Sequence, residues 1–451
     1  MTPAPAPNTA SSPPALRKEL NLFDVAAIVV GTIIGSGIFV LPSYIAAEVK
    51  PLWGVMLVWG VGGVLTIFGA LSLAELGAMY PASGGLCTYL LHAYGPTTAF
   101  LYAWSLLFVI HSGSIAALAV AFGIYAKQFF AMNTIVERSL VAAVILGLTF
   151  ISCLGIRGGK LIQNSIAVAK IGGLAAVILL LSIKGTLPLH FSSTPLDGLA
   201  GHSFSAAGFG IALIAVLWAY EGWHVVSFVA GEMKRPRIDL PRGLLFGTAV
   251  VMLIYMTANI GYYHVLSPAE IQGSNAVAAF AMGKLFGPRA ASAISLLVLV
   301  SILGSINGMI LSGPRVYYAM AQDGIFPRGF ASINERYRTP VFALIVQGVW
   351  AAGLAASGTY QQLFTYVIFT AWIFYGLAVG AVLVLRRTRP NLERPYRVPG
   401  YPWICLLFCM AAASLVVNSV ITQPKNSLIG IAVVASGLPL YFFLGNRNRD
   451  T

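Results

Sequence analysis

Long apolar stretches recur along the whole chain and constrain its fold more than any other feature. An α-helix rises about 1.5 Å per residue, so roughly 20 apolar residues cross the hydrocarbon core of a bilayer. Because these stretches are long, continuous and rich in Leu, Ala, Ile and Val, they favour helices over the short alternating strands of a membrane barrel. The sequence predicts an all-α membrane protein with twelve transmembrane helices, at about 22–47, 53–79, 96–126, 139–155, 162–183, 205–230, 242–264, 289–320, 340–357, 362–385, 402–420 and 427–444.

The composition agrees with a protein that lies in a lipid bilayer, since 58% of the residues are hydrophobic and only 9% are charged. Residues 1–20 are rich in Pro, Ala and Ser and lack the apolar core of a signal peptide, so we expect a disordered tail there. No zinc-type His and Cys spacing and no phosphate-binding glycine loop is present, so we expect no metal, no cofactor, no enzyme activity and no ATP-driven transport.

The net charge of +13 does not indicate nucleic-acid binding, because the basic residues form short clusters between the apolar stretches. With the amino terminus inside the cell, 19 of them lie on the cytoplasmic side and 7 on the outer side, while Lys170 lies within a span. This asymmetry predicts that both termini are cytoplasmic, in the plasma or inner membrane. The four cysteines, Cys87, Cys153, Cys405 and Cys409, fall in spans or inner loops and predict no structural disulfide.

Two spans carry features that interrupt a helix. The first contains GTIIGSGIF at 31–39, where three glycines each cost about 1 kcal/mol relative to alanine. Close packing against another helix is an equally good explanation of that spacing. The sixth span contains WAYEGW at 218–223, with a carboxylate and a glycine among aromatics, and this second feature favours broken helices.

The two interrupted spans stand five helices apart, which predicts an inverted 5+5 repeat. Residues 22–183 form the first repeat, 205–385 the inverted second repeat and 402–444 two additional helices, all within a transporter domain at 21–447. An inverted repeat places the substrate site near the membrane midplane. Freed N–H groups at the start of a half-helix suit a carboxylate and freed carbonyls suit an ammonium group, so a zwitterion fits both.

Three ionisable residues lie deep within predicted spans, where a charge needs a partner or a function. Glu221 is either functional or a structural carboxylate that caps broken backbone. Lys170 either donates to freed carbonyls of the first span as a fixed charge in place of sodium, reaches a water-filled cavity, or carries protons. His111 lines the pocket, shuttles protons or hydrogen-bonds within the bundle.

Motifs along nearly the whole chain resemble those of the amino acid-polyamine-organocation family, and most closely its L-type amino acid transporter branch. They are GTIIGSGIF at 31–39, YPASGG at 80–85, WAYEGW at 218–223, AGEMKRPRIDLPR at 230–242, NGMILSGPRVYYAMAQDG at 307–324 and RPNLERPYRVPGYP at 389–402. The resemblance implies the five-plus-five core of LeuT-like transporters, alternating access and sodium-independent exchange.

The resemblance also implies roles for individual residues. N–H groups at Ser36 and Gly37 would hold the substrate carboxylate, and Trp218 would cover the site from outside. Lys170 would replace a sodium site. Carbonyls that would hold the ammonium group belong to Ile33, Trp218 and Glu221, and residues that would approach the substrate side chain are Ser114, Phe369 and Trp372.

Three departures from the relatives bear on specificity and partners. Glu221 stands where many L-type relatives have a small or uncharged residue, and His111 stands where heteromeric relatives often have a different basic residue. Residues 127–138 contain no cysteine, so we expect no disulfide-linked partner subunit. The sequence predicts a sodium-independent amino acid exchanger; a proton-coupled symporter, a cationic amino acid or polyamine carrier, and a non-transporting amino acid sensor are the alternatives.

Overall fold

The computed structural model describes residues 20–49, 51–81, 84–155, 159–189 and 205–447, and most of the predicted tail lies outside them. Within these ranges the elements are α-helices joined by short connections. In chain order they are α1 (Leu22–Ile33), α2 (Gly37–Glu48), α3 (Leu52–Met79), α4 (Leu86–Tyr94), α5 (Pro96–Ser105), α6 (Ser112–Ala126), α7 (Thr134–Cys153), α8 (Gly159–Lys184), α9 (Ala206–Ala219), α10 (Pro236–Val265), α11 (Pro268–Gln272), α12 (Val277–Phe286), α13 (Pro288–Gln322), α14 (Val341–Ser357), α15 (Tyr360–Thr388), α16 (Trp403–Thr422) and α17 (Pro424–Arg447).

Three further helical segments have tighter or wider winding. A π-helical segment, Leu106–His111, joins α5 to α6 without a break. A 3₁₀ segment, Trp223–Glu232, follows α9, and a shorter one covers Arg328–Ala331. Single turns of π-helix within α-helices are frequent at functional sites. The π-helical segment therefore supports His111, at its end, as a candidate functional residue.

Each of the twelve predicted stretches coincides with a helix or a broken helix. Within the described ranges, nine helical runs are long and apolar enough to cross a membrane, and α1 with α2, bent by 45°, makes a tenth if the pair is one span. At 17 residues α14 is shorter than these runs. The protein is therefore a multi-pass helical membrane protein, while the count of twelve spans stays a prediction.

Three short helices, α4, α11 and α12, lie in segments that the sequence did not identify as spans. Local capping explains α11, because the Ser267 side chain accepts from the Glu270 N–H, the Glu270 carboxylate accepts from the Ser267 N–H, and Pro268 occupies the first helical position. The Glu270 carboxylate also pairs with Lys284 of α12, which lowers the pKa of Glu270. These helices lie between predicted spans and leave the assignment of the spans unchanged.

The broken segments lie at the centre of the bundle. Helix α1 packs against α10 and the 3₁₀ segment Trp223–Glu232, and α2 packs against α9. Helix α10 also runs along α3, while α13 lies against α6 and α8. Helix α15 contacts α9 on one side and α16 on another. This arrangement surrounds the two interruptions with helices from both halves of the chain.

Candidate substrate-binding site at two broken helices

The first interruption separates α1 from α2. Helix α1 ends at Ile33, Ile34 adopts an extended conformation, and α2 begins at Gly37. A Cβ atom added at Gly37 would lie only 2.7 Å from the Ala219 Cα atom at the end of α9. The helix is therefore broken, and Gly37 permits close approach of the second broken helix.

The second interruption separates α9 from the 3₁₀ segment Trp223–Glu232. Gly222 has a φ of +111°, a conformation that L side chains rarely adopt. The Thr32 hydroxyl of α1 donates to the Ile28 carbonyl of its own helix at 2.7 Å and lies 3.2 Å from the Gly222 carbonyl oxygen. The Tyr255 hydroxyl of α10 lies 3.1 Å from both the Ile33 and the Ala219 carbonyl oxygens. Direct contacts therefore hold the two interruptions together at one level of the bundle.

Lys170 of α8 reaches the first interruption and is only 3% exposed. Its Nζ atom donates to the Gly31 carbonyl at 3.1 Å, to the Ile34 carbonyl at 3.0 Å and to the Ser305 hydroxyl at 2.9 Å. An ammonium group has three protons, so these contacts occupy all of its donors. The sequence indicated the carbonyl contacts as one alternative but did not indicate Ser305 of α13.

Trp218 and Ser36 are joined by Tyr360, the first residue of α15. The Tyr360 hydroxyl accepts a hydrogen bond from the Trp218 indole N–H at 2.9 Å and lies 3.1 Å from the Ser36 hydroxyl. The Trp218 ring also stacks on Phe364, with centroids 6.3 Å apart. Sequence reasoning missed Tyr360 because it started the span at residue 362, although Thr359 and Gln362 form a capping box that begins α15 at Tyr360.

Glu221 belongs to a buried polar cluster with two residues that the sequence did not indicate. The Tyr375 hydroxyl of α15 donates to the Glu221 Oε1 atom at 2.5 Å and lies 3.0 Å from the His224 Nδ1 atom. The His224 Nδ1 atom lies 3.5 Å from Glu221 Oε1. All three side chains are at most 5% exposed. The cluster lies at the start of the 3₁₀ segment, directly after the second interruption.

His111 and Ser114 are buried near each other on the π-helical segment and α6. The Ser114 hydroxyl donates to the Ile110 carbonyl of its own helix at 2.6 Å. Both ring nitrogens of His111 are buried. A Cβ atom added at Gly313 of α13 would lie 2.8 Å from His111 Nδ1 and 2.2 Å from the Gln347 Oε1 atom. His111 therefore faces α13 and α14.

The rings of Phe369 and Trp372 face the two carboxy-terminal helices. Trp372 stacks on Phe408 of α16 at a centroid distance of 5.0 Å, and the Phe369 ring lies against Gly430 of α17. Trp372 also lies 6.5 Å, between ring centroids, from Tyr375. The aromatic side chains that α15 places in contact with Trp218 or Glu221 are Tyr360, Phe364 and Tyr375.

Comparison with known proteins agrees with this architecture. The sequence model of the amino acid permease family matches residues 20–439, and the chain belongs to that family of membrane transporters. It is thus a transporter rather than an enzyme.

Among curated relatives, the human b(0,+)-type amino acid transporter 1 is 33% identical over 435 residues, which cover 95% of this chain and 88% of that protein. The serine/threonine exchanger SteT of Bacillus subtilis is 32% identical over 439 residues, 96% of this chain and 98% of that protein. The human cystine/glutamate transporter is 30% identical, with 95% of this chain and 85% of that protein covered.

Replacing Tyr360 with Phe tests whether the Trp218 contact belongs to the substrate site. The Tyr360→Phe variant loses hydrogen bonds to Trp218 and Ser36, each worth roughly 1 kcal/mol, so we expect the KM of amino acid uptake to rise about fivefold or more. Tyr366→Phe is the matched control, because the Tyr366 hydroxyl bonds Asn426 elsewhere on the same helix. Equal KM values in the two variants would remove Tyr360 from the site.

Proposed function

We propose that the protein is a sodium-independent amino acid exchanger that works by alternating access. The contact between the two interruptions, with Lys170 bound to the first of them, is the observation that carries this proposal. The relatives support it, since one is a serine/threonine exchanger, one a b(0,+)-type amino acid transporter and one a cystine/glutamate transporter.

The zwitterionic head of the substrate lies between the interruptions in this proposal. N–H groups of Ser36 and Gly37, at the start of α2, hold the carboxylate, because the first N–H groups of a helix lack partners within it and carry partial positive charge. Carbonyls of Ile33, Trp218 and Glu221 hold the ammonium group. The Ile33 carbonyl already accepts from Tyr255, but a carbonyl oxygen has two lone pairs and can accept again.

The substrate side chain points from this head group toward the side chains around the second interruption. Trp218 covers the site from outside with Tyr360, and Ser114 and His111 border it from α6 and the π-helical segment. The structure supports Phe369 and Trp372 less, because their rings contact α17 and α16. We propose that Phe364, stacked on Trp218, provides the apolar wall that these two were expected to form.

Lys170 takes the place of a sodium ion in this mechanism. Sodium binds oxygen atoms, and the oxygens at this point are those of Gly31, Ile34 and Ser305, all engaged by the ammonium group. A fixed positive charge at the same position also repels a second cation. In this proposal the lysine ammonium group serves as the cation of the site.

Twelve spans with an inverted 5+5 repeat and cytoplasmic termini complete the proposal. The order of the interruptions, one near the start of each predicted repeat, supports the repeat, and the distribution of basic residues supports the orientation. We also propose that the protein acts without a disulfide-linked subunit. Its four cysteines are free and lie in the described helices, two of them buried.

Uptake into proteoliposomes tests this function. Labelled neutral amino acid should enter vesicles that contain unlabelled amino acid, and should enter empty vesicles far more slowly. Uptake that needs a pH gradient and no internal amino acid would establish the proton-coupled symporter instead. Binding of the amino acid without any flux would establish the sensor.

Sodium independence has its own test in the same vesicles. Replacing external sodium with choline should leave the initial rate of exchange unchanged, because the Lys170 ammonium group already occupies the oxygens of the first interruption. The measurement is uptake over the first seconds at equal ionic strength. A several-fold fall on sodium removal would contradict the role given to Lys170.

A further inference from the structure

The cluster of Glu221, His224 and Tyr375 can adopt two net charges. The Tyr375 hydroxyl donates to Glu221 Oε1 at 2.5 Å, and the His224 Nδ1 atom lies 3.0 Å from that hydroxyl and 3.5 Å from Glu221 Oε1. The His224 Nε2 atom is farther from the Tyr375 hydroxyl, at 3.5 Å. With Glu221 ionised, the cluster has a net charge of −1 when His224 carries one ring proton and 0 when it carries two.

The surroundings of the cluster supply no other cation. Within the described residues, His224 is the one basic side chain at ion-pair distance from Glu221. The titratable neighbours are Tyr102 of α5 and His111 of the π-helical segment, in addition to Tyr375 itself. An unpaired carboxylate at membrane depth is costly, so a positive partner stabilises Glu221 in each loaded state.

We propose that His224 stores a proton that replaces the side-chain cation of the substrate, which makes exchange of cationic for neutral amino acids electroneutral. The proposal rests on the exchanger function above. With a neutral amino acid bound, His224 is protonated on both ring nitrogens and balances Glu221. When an amino acid with an ammonium or guanidinium side chain binds beside Glu221, the Nε2 proton leaves to the solution on that side.

The balance of charge follows directly. As one cationic amino acid enters, one neutral amino acid and one proton leave, and no net charge crosses the membrane. Both loaded forms of the transporter carry the same charge past the bilayer core. The site therefore accepts both substrate classes without moving an unpaired carboxylate through the low-dielectric interior.

The test uses proteoliposomes that contain the neutral amino acid with the fastest homoexchange and a pH-sensitive dye. Addition of external labelled arginine should raise the internal pH, with about one proton leaving per arginine taken up. The rate should not respond to a potassium diffusion potential set with valinomycin. Homoexchange of the neutral amino acid should leave the internal pH unchanged.

His224→Asn separates proton storage from packing, because asparagine is a polar side chain that cannot take up a proton. In this variant we expect proton exit to stop and arginine uptake to speed up severalfold at an inside-negative potential, since one charge now crosses per cycle. His264→Asn is the matched control, because His264 bonds the Leu187 carbonyl at the far end of α10. It should behave like the unaltered protein.

Other outcomes would contradict either this proposal or the proposed function. Arginine exchange that carries net charge and leaves the internal pH unchanged in the unaltered protein would overturn the proposal, and so would neutral exchange that excludes arginine. Proton exit that persists in His224→Asn would remove His224 as the store. These results leave amino acid exchange standing, whereas vesicles that exchange no amino acid at all would overturn the proposed function itself.

Discussion

Replacing Lys170 with Ala should lower amino acid exchange by at least tenfold. The substitution removes a buried positive charge and leaves the Gly31 and Ile34 carbonyls and the Ser305 hydroxyl without their donor. Hydrogen bonds to a charged group are each worth about 1.5–3 kcal/mol, and about 1.4 kcal/mol corresponds to a tenfold change. The measurement is the initial rate of labelled amino acid uptake into vesicles that contain unlabelled amino acid.

Lys184→Ala is the matched control for this experiment, because Lys184 ends the same helix and is exposed. It should exchange at the rate of the unaltered protein. Size-exclusion profiles in detergent show whether Lys170→Ala remains folded. Exchange close to normal in a folded Lys170→Ala protein would show that the first interruption keeps its geometry without the lysine, and the sodium-surrogate role would then fall.

Replacing Gly37 with Val should abolish exchange. A Cβ atom at this position would lie 2.7 Å from the Ala219 Cα atom and 2.8 Å from its Cβ atom, distances that real side chains do not adopt. The two broken helices must therefore separate, and a branched side chain would also block the approach of a carboxylate to the N–H groups of α2. Both effects act at the proposed substrate site, and the assay is again vesicle exchange.

Gly147→Val provides the comparison, since a Cβ atom at Gly147 of α7 would meet nothing within 4 Å. It introduces the same branched side chain into a helix at an open position. We expect it to exchange normally, because valine meets no neighbour at this position and its helix propensity is no lower than that of glycine. A Gly37→Val protein that elutes as a single species and exchanges normally would exclude this substrate position.

The sequence was sufficient to locate the helices and both interruptions, because these depend on strong local signals. Apolar runs of span length cannot be accommodated except as helices in lipid, and clustered glycines weaken a helix at the point where they occur. The contact of Lys170 with carbonyls of the first span was one of the predicted alternatives, because a lysine so deep in a span needs oxygen atoms as hydrogen-bond acceptors. Its third partner, Ser305, comes from a distant span, and no local pattern indicates that pairing.

Other parts of the site depend on which face of a helix meets which neighbour. Phe369 and Trp372 were inferred from the family resemblance, and in the structure their rings contact α17 and α16, while Trp372 also lies 6.5 Å from Tyr375. His224 and Tyr375 are separated by about 150 positions, so their contact with Glu221 follows only from tertiary packing. Recognition of the capping box at Thr359 would have identified Tyr360 as a helical residue.

A structure of the protein in a lipid nanodisc with a bound amino acid tests the central claim most directly. The account predicts the carboxylate within hydrogen-bond distance of the Ser36 and Gly37 N–H groups, and the ammonium group against the carbonyls of Ile33, Trp218 and Glu221. Substrate bound elsewhere, for example in the polar pocket lined by Gln361, Gln423 and Lys425, with nothing between the interruptions, would contradict it.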